Sequence, residues 1–223
     1  MHDLLLAEYG PQSWWPAKTP FEVIVGAYLT QNTSWKAVER SLANLRAAGG
    51  LTVQGLRSIS LKDLSQAIRP SGFFTRKAPA LKAFVGLLDS EFSGSLEKMA
   101  AMPTVPLRER LLKLPGVGPE TADVILLYAL GHPVPVADEY LRRIAERHRL
   151  VEPPPRKNRA GYDALVQITR DAFAADCADQ RAQLFNEFHA LTVAVGKQHC
   201  GRTARCEGCP LAPDLAPMGS PAR

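Results

Sequence analysis

Apolar residues along the chain recur mainly three and four positions apart, the period of a helix face and not of a strand. Val38, Leu42 and Leu45 share one face of residues 34–45, and the Gly49-Gly50 pair stops that segment. Leu81, Phe84, Val85 and Leu88 repeat the pattern over residues 77–92, with Pro79 expected in the first turn, where a helix tolerates its missing N–H. Residues 21–29 are apolar almost without a break and follow Pro20, a favoured first helical residue. Ser60, with Asp63 three residues on, opens a helix over 60–68 through a carboxylate variant of the capping box. Further helices are expected over 106–112, 120–130, 139–149, 161–173 and 182–195. Only residues 133–136 read as extended, and no segment alternates at period two. The pattern predicts an all-α protein.

Composition narrows the class. The 223 residues suffice for one large domain or two small ones, and a hydrophobic content of 46% supports a true core. Lys and Arg outnumber Asp and Glu by 27 to 22, a basic excess that suits a polyanionic partner. No apolar stretch approaches the roughly 18 to 20 residues needed to span a bilayer. The first nine residues carry Asp3 and Glu8 and lack the basic start and long apolar run of a signal peptide. No membrane partner is expected, and the expected location is cytoplasmic, nucleoid-associated if DNA is bound. Cys200, Cys206 and Cys209 crowd into ten residues near the C-terminus, with Cys177 upstream. In a cytosolic chain such a cluster reads as metal binding before disulfide.

The most informative segment is Leu112-Lys-Leu-Pro-Gly-Val-Gly-Pro-Glu-Thr-Ala-Asp-Val-Ile-Leu-Leu-Tyr-Ala-Leu130. One helix ends near Lys113, a tight turn follows, and a second apolar helix starts at once. Gly116 and Gly118 open backbone angles closed to other residues and let another backbone approach. The free N–H groups at the second helix start then suit a phosphate. Such a grip positions DNA without reading its bases.

This segment resembles the helix-hairpin-helix of the endonuclease III superfamily of base-excision DNA glycosylases. The resemblance implies DNA contacts at Gly116, Val117, Gly118 and Thr121, and a monovalent cation held by the carbonyls of Leu112, Leu114 and Val117. In the superfamily a catalytic aspartate follows the hairpin in a Val-Asp-x-x-x-x-Arg pattern, which Asp138 and Arg143 match, with Ala137 in place of the valine. An ionised carboxylate there stabilises the oxocarbenium character of the breaking sugar–base bond and orients or deprotonates water. Asp138 also reads as an ordinary helix N-cap. Bifunctional members carry a lysine in the hairpin that attacks the sugar as a Schiff-base nucleophile; here that position is Glu120, which implies a monofunctional, water-using enzyme.

Two further stretches, Tyr9–Pro16 and Leu29–Trp35, resemble the 3-methyladenine DNA glycosylase III branch. The resemblance makes Gln31 the side chain that fills the gap left by a flipped base. It places Trp15 and Trp35 at a pocket where stacking would recognise a cationic, alkylated purine; tryptophans that merely pack between helices are the plainer alternative. Oxidised pyrimidines or mismatched thymine are alternative substrates within the superfamily.

The cysteine spacing Cys200-x5-Cys206-x2-Cys209 resembles a family 4Fe-4S loop with two departures: the first spacer is one residue short, and Leu215 stands in the fourth slot. A cubane takes four thiolates. The fourth ligand would be Asp214 or Cys177; zinc on three cysteines with His199 or Asp214, or an empty loop, are the alternatives. The expected architecture is a two-lobed helix-hairpin-helix glycosylase. Its central barrel spans residues 21–128 and ends in the hairpin; its second domain combines residues 1–20 and 129–223. The active cleft is expected between the lobes, and the partner is double-stranded DNA with a damaged base, bound by a monomer. A bifunctional glycosylase and lyase on oxidised pyrimidines, or a non-catalytic DNA-binding relative, are the competing functions.

Overall fold

The computed structural model describes residues 1–12, 17–152 and 154–215. Twelve α-helices follow one another among them: α1 (His2–Tyr9), α2 (Pro20–Thr30), α3 (Trp35–Ala47), α4 (Val53–Ser58), α5 (Leu61–Ala67), α6 (Phe74–Phe92), α7 (Leu96–Ala100), α8 (Thr104–Leu112), α9 (Pro119–Val124), α10 (Glu139–Arg147), α11 (Arg159–Ala172) and α12 (Arg181–Gln198). No strand occurs among the described residues, so the fold is all-α as the periodicity predicts.

Three short helices escape the pattern. In α1 the apolar residues Leu4, Leu5 and Leu6 are consecutive and form no face; only Leu5 is buried. α4 and α7 hold six and five residues, too few for a period to show. α6 starts at Phe74, three residues before the expected position, so Pro79 lies inside the helix and not in its first turn. The segment expected as one helix over 120–130 changes pitch at Ile125 into a π-helical turn, Ile125–Ala129, closed by the Leu130 N–H on the Ile125 carbonyl at 3.2 Å. Capping is as read: the Ser60 hydroxyl accepts the Asp63 N–H at 3.1 Å, while the Asp63 carboxylate takes the Ser60 O–H at 2.6 Å.

The described residues form two compact units. The first lies within residues 15–132. Every residue of α2 from Phe21 to Leu29 is buried, because a helix apolar on all sides is stable only when enclosed; α3, α6, α9 and the π-turn pack around it. α8 and α9 make the hairpin. Arg108 on α8 grips the wholly buried Asp123 on α9 with two N–H donors, at 2.6 and 2.8 Å.

The second unit lies within residues 1–14 and 133–223. Its core gathers Leu5, Ile144, Leu191, Val195, Cys200 and Leu211. α10 and α12 approach closely at Gly196, where a Cβ would lie 2.3 Å from the Tyr140 ring, so only glycine fits. Arg143 and Arg147, one turn apart on α10, donate to the carbonyls of Cys200 (3.3 Å), Gly201 (2.9 Å) and Arg202 (3.2 Å), tying the cysteine loop to that helix.

Candidate functional site

In the first unit the hairpin turn runs from Lys113, the α8 C-cap, to Gly118, the α9 N-cap. Gly116 has φ +75°, a left-handed angle that favours glycine. Gly118 differs from the expectation: its φ is −92°, open to any residue. What glycine supplies there is room, since a Cβ would meet nothing within 4 Å. No side chain caps α9. Gly116, Gly118 and Glu120 are exposed, whereas Val117 is buried and can offer a ligand only its backbone. Of the three expected cation carbonyls, that of Leu114 already accepts the Val117 N–H at 3.2 Å.

Gln31 stands at the C-terminal end of α2 and reaches this turn. Its Nε2 donates to the Gly116 carbonyl at 2.8 Å and to the Thr121 hydroxyl at 2.9 Å. The structure therefore brings Gln31, Gly116 and Thr121 together across 85 to 90 residues of sequence. Trp35 begins α3, half-buried, with its indole N–H on the Glu39 carboxylate at 3.0 Å. It is not one of the core side chains. Trp15 lies outside the described residues.

Asp138 sits in the second unit as the N-cap of α10, its Oδ1 accepting the Leu141 N–H at 2.8 Å. Burial pushes its carboxyl up to about 6, against the pull of the Leu141 and Tyr140 N–H groups and of the Arg143 guanidinium. His189 Nε2 lies 3.9 Å from its Oδ2, and burial holds that imidazole neutral. The next residue, Glu139, is no rival: hydrogen bonds from Arg142 and Lys157 hold it down at about 2, fully committed to ion pairs.

Burial pushes the Cys209 thiol up, and its electrostatic neighbours Cys200 and Cys206 push it the same way. Among the described residues no three His, Cys, Asp or Glu side chains gather as a metal site. Cys200 is buried and Cys209 packs against the same apolar cluster, while Cys206 is exposed. Cys177 precedes the 18-residue α12 and Cys200 follows it, a helix length of about 27 Å; Cys177 is thereby excluded as a partner. The Asp214 carboxylate faces the N-terminal amine of Met1 at 3.8 Å, and His199 Nδ1 meets the Arg205 carbonyl at 3.0 Å. Cys200, Cys206 and Cys209 would supply three thiolates to a 4Fe-4S cluster or a zinc ion, and their loop offers no fourth thiol.

Three features had no signal in the periodicity. The Arg108–Asp123 pair fixes α8 on α9. Phe73 is 60% exposed on a left-handed backbone (φ 47°) at the α6 N-cap. Lys77, four residues on, is buried, with its ammonium on the Leu29 carbonyl (2.7 Å), the Ser71 carbonyl (2.9 Å) and the Thr33 hydroxyl (3.0 Å).

The chain belongs to the HhH-GPD superfamily of base excision DNA repair proteins, whose family model matches residues 25–164. It is a DNA glycosylase of that superfamily, and its partner is DNA. It is 38% identical over 213 residues to a candidate DNA repair glycosylase of Methanocaldococcus jannaschii, covering 95% of this chain and 92% of that protein. A solved H. pylori 3-methyladenine DNA glycosylase bound to 1,N6-ethenoadenine matches with a TM-score of 0.72 at 32% identity, over 88% of this chain and 92% of the other. Endonuclease III trapped as a covalent DNA intermediate shares the fold, with a TM-score of 0.74 at 20% identity over 96% of this chain and 92% of the other. No helix among the described residues is long and apolar enough to cross a membrane.

Proposed function

We propose that this glycosylase is monofunctional and hydrolyses the N-glycosidic bond of an alkylated purine in double-stranded DNA. The observation that carries the monofunctional reading is Glu120, an exposed carboxylate at the first turn of α9, where the resemblance expects the Schiff-base lysine. A carboxylate forms no imine, so water supplies the nucleophile. Its oxygen bonds to C1′ as the base departs with the electrons of the broken bond, and the water proton passes to solvent or to the carboxylate.

In this reading Asp138 stabilises the cationic sugar. Its raised carboxyl is ionised at neutral pH and remains basic enough to take a proton from water. The exposed turn at Gly116 and Gly118, with the uncapped start of α9, grips a phosphate. Gln31 and Phe73 fill the space a flipped base leaves: the first is polar and can meet the orphaned partner, the second is an exposed ring on a strained backbone. The alkylated-purine substrate rests on the 32% likeness to a 3-methyladenine glycosylase and on the half-buried Trp35, whose ring can stack on a cationic base.

A base-release panel on duplex DNA tests the proposal. Alkylated, oxidised, deaminated and mismatched substrates are compared, with released bases and strand nicks measured separately. Release of 3-methyladenine or 7-methylguanine without nicking is expected. Release confined to oxidised pyrimidines, or a borohydride-trapped adduct, would overturn it.

A further inference from the structure

Lys77 is a cation in a place that disfavours one. Burial pushes its ammonium down to about 8, and a desolvated ammonium needs every N–H satisfied. Three donors meet three acceptors here, and the acceptors share a logic. The Leu29 carbonyl belongs to the last turn of α2, and the Ser71 carbonyl ends the 3₁₀ turn Arg69–Ser71. Two helix C-termini thus point carbonyls, the negative ends of their dipoles, at one ammonium, and that of Ser71 also accepts the Thr33 hydroxyl. The third acceptor, Thr33, lies in the connection from α2 to α3, and its N–H bonds the Thr30 carbonyl at 3.1 Å.

That connection carries Gln31 and turns sharply after it. Asn32 sits at φ 53°, a left-handed angle that asparagine adopts more readily than other residues with a Cβ. Without DNA the Gln31 side chain is docked on the hairpin, at Gly116 and Thr121. To enter a duplex it must leave both partners, and it arrives at a defined place only if its backbone does not move with it.

We propose that Lys77 is a positioning residue for Gln31, its ammonium locking Leu29, Thr33 and Ser71 together so that the Gln31 side chain swings from the hairpin into DNA on a fixed backbone. The inference rests on the reading of Gln31 as the gap-filling residue. Lys77 touches neither base nor sugar; it acts through the loop.

The experiment uses the full chain and a duplex carrying a tetrahydrofuran abasic analogue opposite 2-aminopurine, so that fluorescence reports how the orphaned base is met, independent of bond cleavage. Lys77→Met, Thr33→Val and Gln31→Ala are compared with the native protein at saturating concentration, with affinity and Tm measured alongside. Lys77→Met is expected to cut the fluorescence change to about a third or less while affinity weakens by no more than about threefold. Thr33→Val removes one of the three acceptors together with the bonds of that hydroxyl to the Gln31 and Ser71 carbonyls; it moves the signal the same way, and a full signal from it overturns the inference even if Lys77→Met does not fold. A full fluorescence change in these variants, with only Tm or affinity lowered, would overturn the inference. A native signal from Gln31→Ala would refute the gap-filling role itself, whatever Lys77 does.

Discussion

Arg108 and Asp123 are joined by two N–H···O bonds across the hairpin, and Asp123 has no solvent exposure at all. A buried carboxylate stripped of this guanidinium loses two charge-assisted hydrogen bonds and the charge that balances its own. Arg108→Met is therefore expected to destabilise the first unit by about 3 kcal/mol and to weaken binding to undamaged duplex, because the angle of α8 to α9 sets the turn. Replacing both partners with apolar residues should recover much of the stability. Denaturant midpoints and duplex affinities measure the two effects, and a single mutant as stable as the native protein would refute the clamp.

Asp138 links stability and activity with opposite signs. Its folded value of about 6 lies above the 3.8 of the free side chain. Its stabilising contribution is thus complete below the unfolded value and is lost as pH rises through the folded one. At neutral pH the buried charge is a net cost, and Asp138→Asn, which can still cap Leu141, should raise stability by about 1 to 3 kcal/mol. The same change should abolish base release while duplex binding persists.

The pH dependence of catalysis follows from the same carboxyl. Base release should be flat above about pH 6 and fall by about tenfold per unit below it as Asp138 protonates. Single-turnover rates across pH 5 to 8 check this. A profile without an acid limb near 6 would remove the ionised carboxylate from the mechanism.

Glu120 makes a prediction about what is absent and what can be added. Borohydride should trap no covalent adduct between the native protein and damaged DNA. Glu120→Lys places an amine at that position and should yield a trapped adduct on the same substrate. Trapping of the native protein would show that another amine acts.

The cysteine loop is held by packing and by the arginines of α10. Leu211 is completely buried, so Leu211→Ala should cost about 2 to 5 kcal/mol. Cys206 is exposed, and Cys206→Ser should change stability by less than about 0.5 kcal/mol and leave base release intact. A large loss from the serine variant, with iron or zinc present in the native protein, would assign the loop to a metal after all.

Periodicity carried the long amphipathic helices because a helix half buried along its length must repeat its apolar residues at three and four. It missed α1 and the short α4 and α7, where burial is supplied by neighbours and leaves no local period. The glycine turn was legible as a turn. The differing tasks of its glycines were not, since the φ of Gly118 depends on how α9 meets the loop and not on the residue itself. The empty fourth slot of the loop drew Cys177 toward the other cysteines, and the length of α12 separates them.

The sequence by itself determined the fold class, the hairpin, and the chemical type at each candidate position: amide at Gln31, carboxylate at Glu120 and at Asp138. Those are properties of side chains and of local backbone, and they are written residue by residue. Only the tertiary structure decided that Gln31 rests on Gly116 and Thr121, that Lys77 gathers two helix ends, and that Arg108 holds Asp123 across the hairpin. These join groups 6 to 90 residues apart, and at Lys77 and Asp123 the cause is desolvation: a buried polar group takes whatever partner folding brings within reach, and no local pattern names that partner.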